Sequence, residues 1–131
     1  MGILFELRKT DKTAIYLYSL NEQHNFIDEI KGNFPNDHSV LSRNIELLAD
    51  RGEIRDEDKF KHVQNSIFEF KTKKLRVFCL LLKGVRPKTF ILNHYYKKQG
   101  QKTPTKEINK AQKLADEIIA KHKSGELQFG E

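Results

Sequence analysis

Phe68-Glu69-Phe70-Lys71, Leu75-Arg76-Val77-Phe78-Cys79-Leu80-Leu81-Leu82 and Phe90-Ile91-Leu92-Asn93-His94-Tyr95 follow one another closely, parted by Lys73-Lys74 and by Gly84 to Pro87. Runs of this length, rich in aromatic and branched side chains and bounded by turn-forming residues, predict strands over Ile67–Lys71, Leu75–Leu82 and Thr89–Tyr95. Short polar links between them make an antiparallel meander. Strand alternation sets Arg76, Phe78 and Leu80 on one face and Leu75, Val77, Cys79 and Leu81 on the other. Arg76 is therefore a charge inside an apolar strand. A buried, unpaired guanidinium is costly, so it must reach either an acidic partner such as Glu69 or an open anion site.

On the N-terminal side, Ile3 to Arg8 and Ala14 to Leu20 read as two short strands joined across Lys9 to Thr13. From Asn21 the spacing changes: Phe26, Ile27 and Ile30 form a helical stripe closed by Gly32, Asn33 and Pro35. A second helix is expected after Asp37 or Ser39, with Val40, Leu41, Ile45, Leu47 and Leu48 as its apolar face and Gly52 as its stop. Asp56 to Asp58 would be an exposed link. On the C-terminal side, Thr103 as cap, Pro104 at the first helical position and Glu107 in the first turn open a last helix. Its stripe is Ile108, Ala111, Leu114, Ala115, Ile118 and Ile119, it runs to about Lys123, and residues 124–131 are expected to be a flexible tail. Helices before and after a block of strands indicate an α+β fold, and 131 residues suit a single domain.

Composition excludes several classes. With 32% charged and 10% aromatic residues the chain has the makings of an ordinary folded domain. Val77 to Leu82, its longest apolar run, is far too short to span a bilayer, and Met1 to Arg8 lacks the order of a signal peptide, so a cytoplasmic location is expected. One cysteine, Cys79, can form neither an internal disulfide nor a thiolate zinc site. His24, His38, His62 and His122 are scattered without metal-ligand spacing, so neither metal nor cofactor is expected.

The net charge of +6 is unevenly spread. Lys71 to Lys113 holds thirteen Lys/Arg against the single acid Glu107, giving +12, whereas the rest of the chain sums to −6. Such a block is either the footprint of a polyanion binder or a solvated basic face. Charge alone does not separate RNA, DNA, an anionic membrane and an acidic protein.

The succession of Phe68 to Lys71, Leu75 to Phe78, a glycine turn, Phe90 to Lys98, and Gln101-Lys102-Thr103-Pro104 with Glu107, Ile108 and Ala111 resembles the core of HigB-like toxins of the RelE/ParE superfamily. The resemblance extends over roughly residues 60 to 120. Lys71 stands where many of those toxins carry an arginine, and Asn93-His94 where a His-Gly pair is usual. The resemblance implies a RelE-like compact antiparallel β-sheet packed against two N-terminal helices, with a C-terminal helix. It also implies the toxin of a type II toxin-antitoxin system: an mRNA interferase that cleaves translated messages at the ribosome, and a cognate antitoxin that silences it.

Under that reading Arg76 would stabilise the phosphate in the transition state, and Lys71, Lys97 and Lys98 would clamp it or take part in proton transfer. His94 would act as base or acid. Tyr95 and Tyr96 point to opposite faces, so one can stack on a base while the other joins the core. Lys73 and Lys74 at the turn, with Lys102, Lys106 and Lys110 at the last helix, would hold RNA through its backbone. Two other readings use the same residues: a ParE-like inhibitor of DNA gyrase, which needs no catalytic group, and a basic nucleic-acid-binding module descended from a toxin.

Overall fold

The computed structural model describes residues 3–19 and 25–130. Leu20, Asn21, His24 and Glu131 of the sequence reading lie outside that range. The elements are β1 (Ile3–Lys9), β2 (Thr13–Ser19), α1 (Phe26–Asn33), α2 (Pro35–Arg51), β3 (Phe60–Gln64), β4 (Ile67–Lys71), β5 (Leu75–Leu82), β6 (Lys88–Lys97), α3 (Thr105–Ser124) and β7 (Gln128–Gly130). The strands form one sheet in the order β3-β4-β5-β6-β2-β1-β7.

The meander over β4, β5 and β6 is antiparallel as the turns required. The sheet as a whole is mixed, which corrects the wholly antiparallel expectation: β2 pairs with β6, and β1 with β7, in parallel. The cause is the long excursion after β2. The chain crosses one face of the sheet as α1 and α2, builds β3 to β5 beyond it, and returns with β6 inserted between β5 and β2. Gln128–Gly130 lie beside β1, where the sequence reading expected a flexible tail.

Helices cover both faces. On one, Phe26 and Ile30 of α1 and Leu41, Ile45, Leu48 and Ala49 of α2 pack with Phe70, Leu75, Val77, Cys79, Phe90 and Leu92. On the other, Ala111, Ala115 and Ile118 of α3 pack with Ile67, Phe78, Leu80 and Ile91. β5 is thus apolar on both sides of its alternation because it is buried on both sides. Arg76 is the exception that the fold must accommodate. No helix among the described residues is long and apolar enough to cross a membrane.

Three local devices set the shape near β4 and β5. Asn25 caps α1 through its side chain, which accepts from Ile27 N at 2.9 Å. α2 starts at Pro35 rather than after Asp37 or Ser39, since proline at the first position needs no N–H partner. Freed from capping, the buried Asp37 carboxylate instead accepts from the Thr72 hydroxyl and from Lys74 N, pinning the β4–β5 turn to α2.

The third device is a bulge in β6. Phe78 pairs with His94 but Cys79 pairs with Leu92, so Asn93 is the extra residue. Both Asn93 and His94 consequently turn toward α3: the Asn93 amide reaches Ala111 O at 3.5 Å and the His94 ring lies parallel to Phe78 at 5.9 Å. The bulge also shifts the phase of the strand end. Tyr95 now faces α1 and Tyr96 faces the side that carries Arg76.

Candidate nucleic-acid interface

Cross-strand pairing lines up two rows on the α3 side of the sheet. Lys61, Glu69 and Phe78 follow one another across β3, β4 and β5, and Lys71, Arg76 and Tyr96 across β4, β5 and β6. Because α3 begins only at Thr105 and the chain leading to it passes alongside, a cleft of about 400 Å³ stays open over the ends of these rows. Lys61, Lys71, Arg76 and Lys102 line it, together with Glu69, Gln101, Thr103 and Ile108.

Arg76 is 9% exposed and is held on two sides. Its Nε lies 3.6 Å from Glu69 Oε1, and its Nη1 donates to Thr72 O at 2.7 Å and Leu75 O at 2.9 Å. The acidic partner foreseen for it is thus present. Among the described residues Nη2 makes no hydrogen bond, and the residue still lines the cleft. Glu69, also buried, accepts from Thr103 Oγ1 at 3.1 Å. Thr103 was expected to cap α3; it binds Glu69 instead, and Pro104 occupies the N-cap position with no side-chain cap.

A second cleft of about 600 Å³ continues from the first, with Lys71, Arg76 and Gln101 common to both. It runs around the end of β4 and β5 to α2, adding Arg43, Lys59, Lys73 and Lys98 against a single lining carboxylate, Asp58.

The residues singled out from sequence are divided by this geometry. Lys71 and Arg76 sit where the clefts meet, Lys73 and Lys98 line the second, and Lys102 the first. Lys97 pairs with Leu75, whose side chain belongs to the α1/α2 core, and lines neither cleft. Lys74 contributes its backbone N–H to Asp37 and is exposed. Lys106 and Lys110 are exposed on α3 and outside both linings. Sequence reasoning passed over Lys61, Lys59 and Arg43. The first two required β3 to be recognised, and Arg43 required the packing of α2 beside the β4–β5 turn.

The tyrosines separate in role. Tyr95 donates to Glu29 and packs on Phe26 at 5.1 Å. Burial, then the Glu29 hydrogen bond and charge, pushes its phenol up to about 12. Tyr96 has its hydroxyl within hydrogen-bond reach of Thr103 and feels the charges of Glu69 and Arg76, with burial the largest influence raising its pKa. Tyr96 is therefore the tyrosine on the Arg76 side of the sheet, beside the cleft but in neither lining.

His94 lies outside both linings, with Nε2 3.4 Å from Glu107 Oε1. Burial lowers its pKa, outweighing the opposite pull of Glu107, and Lys110 adds to the lowering. Above the ordinary histidine value of about 6.5 both folded and unfolded chains carry it neutral, so its contribution to stability is complete. As pH falls below that value the unfolded chain takes up a proton that the folded chain resists, and stability declines until the folded pKa is reached. Urea melts of the native chain and His94→Gln should differ by a constant amount above about pH 6.5 and by a shrinking amount below it. A gap that widens on acidification would contradict this assignment.

Among the described residues no group of three or more His, Cys, Asp or Glu side chains could hold a metal ion. The family model of phage-derived Gp49-like proteins (DUF891) matches residues 29–116, more than half of the chain. No curated protein matches it. The matched span takes in the end of α1, all of α2 and β3 to β6, and rather more than half of α3, and so every residue named at the two clefts. The chain belongs to the family of phage-derived Gp49-like proteins, within the RelE/HigB-like toxin superfamily.

Proposed function

We propose that this protein is a toxin that cleaves messenger RNA without a metal, acting on translated messages at the ribosome. Its family supplies the toxin-antitoxin setting and, with it, an antitoxin partner. The observation that carries the finer reading is the meeting of Lys71 and Arg76 at the junction of two basic clefts.

Metal-free cleavage of RNA proceeds by attack of a ribose 2′-hydroxyl on the adjacent phosphate. It forms a 2′,3′-cyclic phosphate and releases the 5′-oxygen of the next nucleotide. Cations must hold the phosphate as its charge grows, and a base must take the hydroxyl proton. Lys71 and the Nη2 edge of Arg76 supply the cations. Glu69, the carboxylate of the first cleft, is anchored by Arg76 and Thr103 and serves as proton acceptor. Tyr96, with Thr103, gives a neutral donor beside them. His94 and Lys97, outside the clefts, have no part in this scheme.

The test is the chemistry of the ends. Purified protein added to translating ribosomes should yield fragments ending in 2′,3′-cyclic phosphate and starting with 5′-hydroxyl. Fragments with 3′-hydroxyl and 5′-phosphate ends would contradict the mechanism. Gyrase inhibition is the second reading, and the Arg76–Glu69 pair favours it in one respect, since it accounts for the buried arginine without any ligand.

A further inference from the structure

The second cleft has a property that the cleavage scheme does not use. Asn44 of α2 is 5% exposed and lines this cleft, and its Nδ2 has no hydrogen-bond partner among the described residues. Beside it stand two cations that need no role in folding. Arg43 and Lys59 are exposed, and neither makes an ion pair among the described residues.

We propose that this cleft is a second subsite for single-stranded RNA, flanking the scissile phosphate held at the first. This rests on the reading of the protein as an RNA-cleaving toxin. Arg43 and Lys59, both exposed at the wall of this cleft, hold backbone phosphates of that strand. Continuity favours RNA as the occupant. The two clefts share Lys71, Arg76 and Gln101, so a strand whose phosphate lies at that junction must leave through one of them. The path turns around the end of β4 and β5, a bend that a flexible single strand follows and a duplex does not.

The experiment measures binding of 2′-O-methyl oligoribonucleotides, which cannot be cut, by fluorescence anisotropy over a range of salt. Lengths of about four and about twelve nucleotides bracket a short and an extended single-strand site. The native chain should bind the longer probe more tightly. Arg43→Ala combined with Lys59→Ala should weaken the longer probe by about tenfold, leave the shorter unchanged, and reduce the slope of log K against log salt by about 1.4, which is two phosphate contacts at about 0.7 each. Equal loss on both probes, or an unchanged slope in the double variant, would overturn the subsite. So would an acidic peptide that binds as tightly as the longer probe and is lost in the same variant, since the cleft would then belong to a protein partner. Because the probes are not substrates, a chain that binds them as expected but cuts no RNA would sink the cleavage reading and leave this subsite standing.

Discussion

Arg76→Ala is expected to destabilise the fold by about 3 kcal/mol, the lower end of the range for breaking a buried ion pair. The substitution leaves the Glu69 carboxylate, 4% exposed, facing an emptied space. It also removes the donor that Thr72 O and Leu75 O share. Thr103 continues to donate to Glu69, which keeps the loss from the upper end of the range. Replacing both partners, Arg76→Met with Glu69→Leu, should recover much of the stability, because a packed apolar pair carries no uncompensated charge. Urea denaturation of the single and double variants checks this. A single variant within about 0.5 kcal/mol of the native chain, the usual range for surface changes, would mean that the pair is no part of what holds β4 to β5. Loss of toxicity in Arg76→Ala is therefore uninformative unless the variant is shown to accumulate folded.

Lys71→Ala separates chemistry from folding. Lys71 is half-buried at the end of β4, and its one hydrogen bond outside the sheet pairing comes from its backbone N–H to Lys59 O, which alanine keeps. Stability should change by no more than about 0.5 kcal/mol. If Lys71 holds the phosphate as charge develops, its loss should slow cleavage by about 10²–10³-fold, the effect of removing one preorganised donor from a transition state. Lys71→Arg should retain much of the rate, since it restores the charge and adds a bidentate fork. Single-turnover rates on ribosome-bound message measure the effect. A drop of less than about tenfold would remove Lys71 from the site.

Much of this arrangement is legible in the residues alone. Turn chemistry delimited β4, β5 and β6, alternation placed Arg76 on the opposite face from Val77 and Cys79, and of the two destinations open to it, an acid such as Glu69 or an anion site, the first lies 3.6 Å away. What escaped was non-local or small. β3 is five residues long and polar at three of them, Lys61, His62 and Gln64, an edge strand with little apolar signal. The parallel pairing of β2 with β6 joins segments far apart in the chain, and no local pattern announces it. The single-residue bulge at Asn93 left no mark either, yet it decides that Tyr96 rather than Tyr95 pairs beside Arg76 and that His94 turns to Glu107. The clefts draw on α2, β3, the β4–β5 turn and the approach to α3, so Arg43 and Lys59 become visible only once those elements are packed together.

The central claim is that the Lys71–Arg76 junction cuts RNA. Its most direct test is brief induced expression in bacteria of the native chain and of Lys71→Ala, with mapping of new messenger RNA 5′ ends. The account predicts rapid growth arrest with new 5′-hydroxyl ends inside translated regions for the native chain, and their absence for an equally abundant, folded Lys71→Ala. Growth arrest without new ends would contradict it and move the target to DNA gyrase.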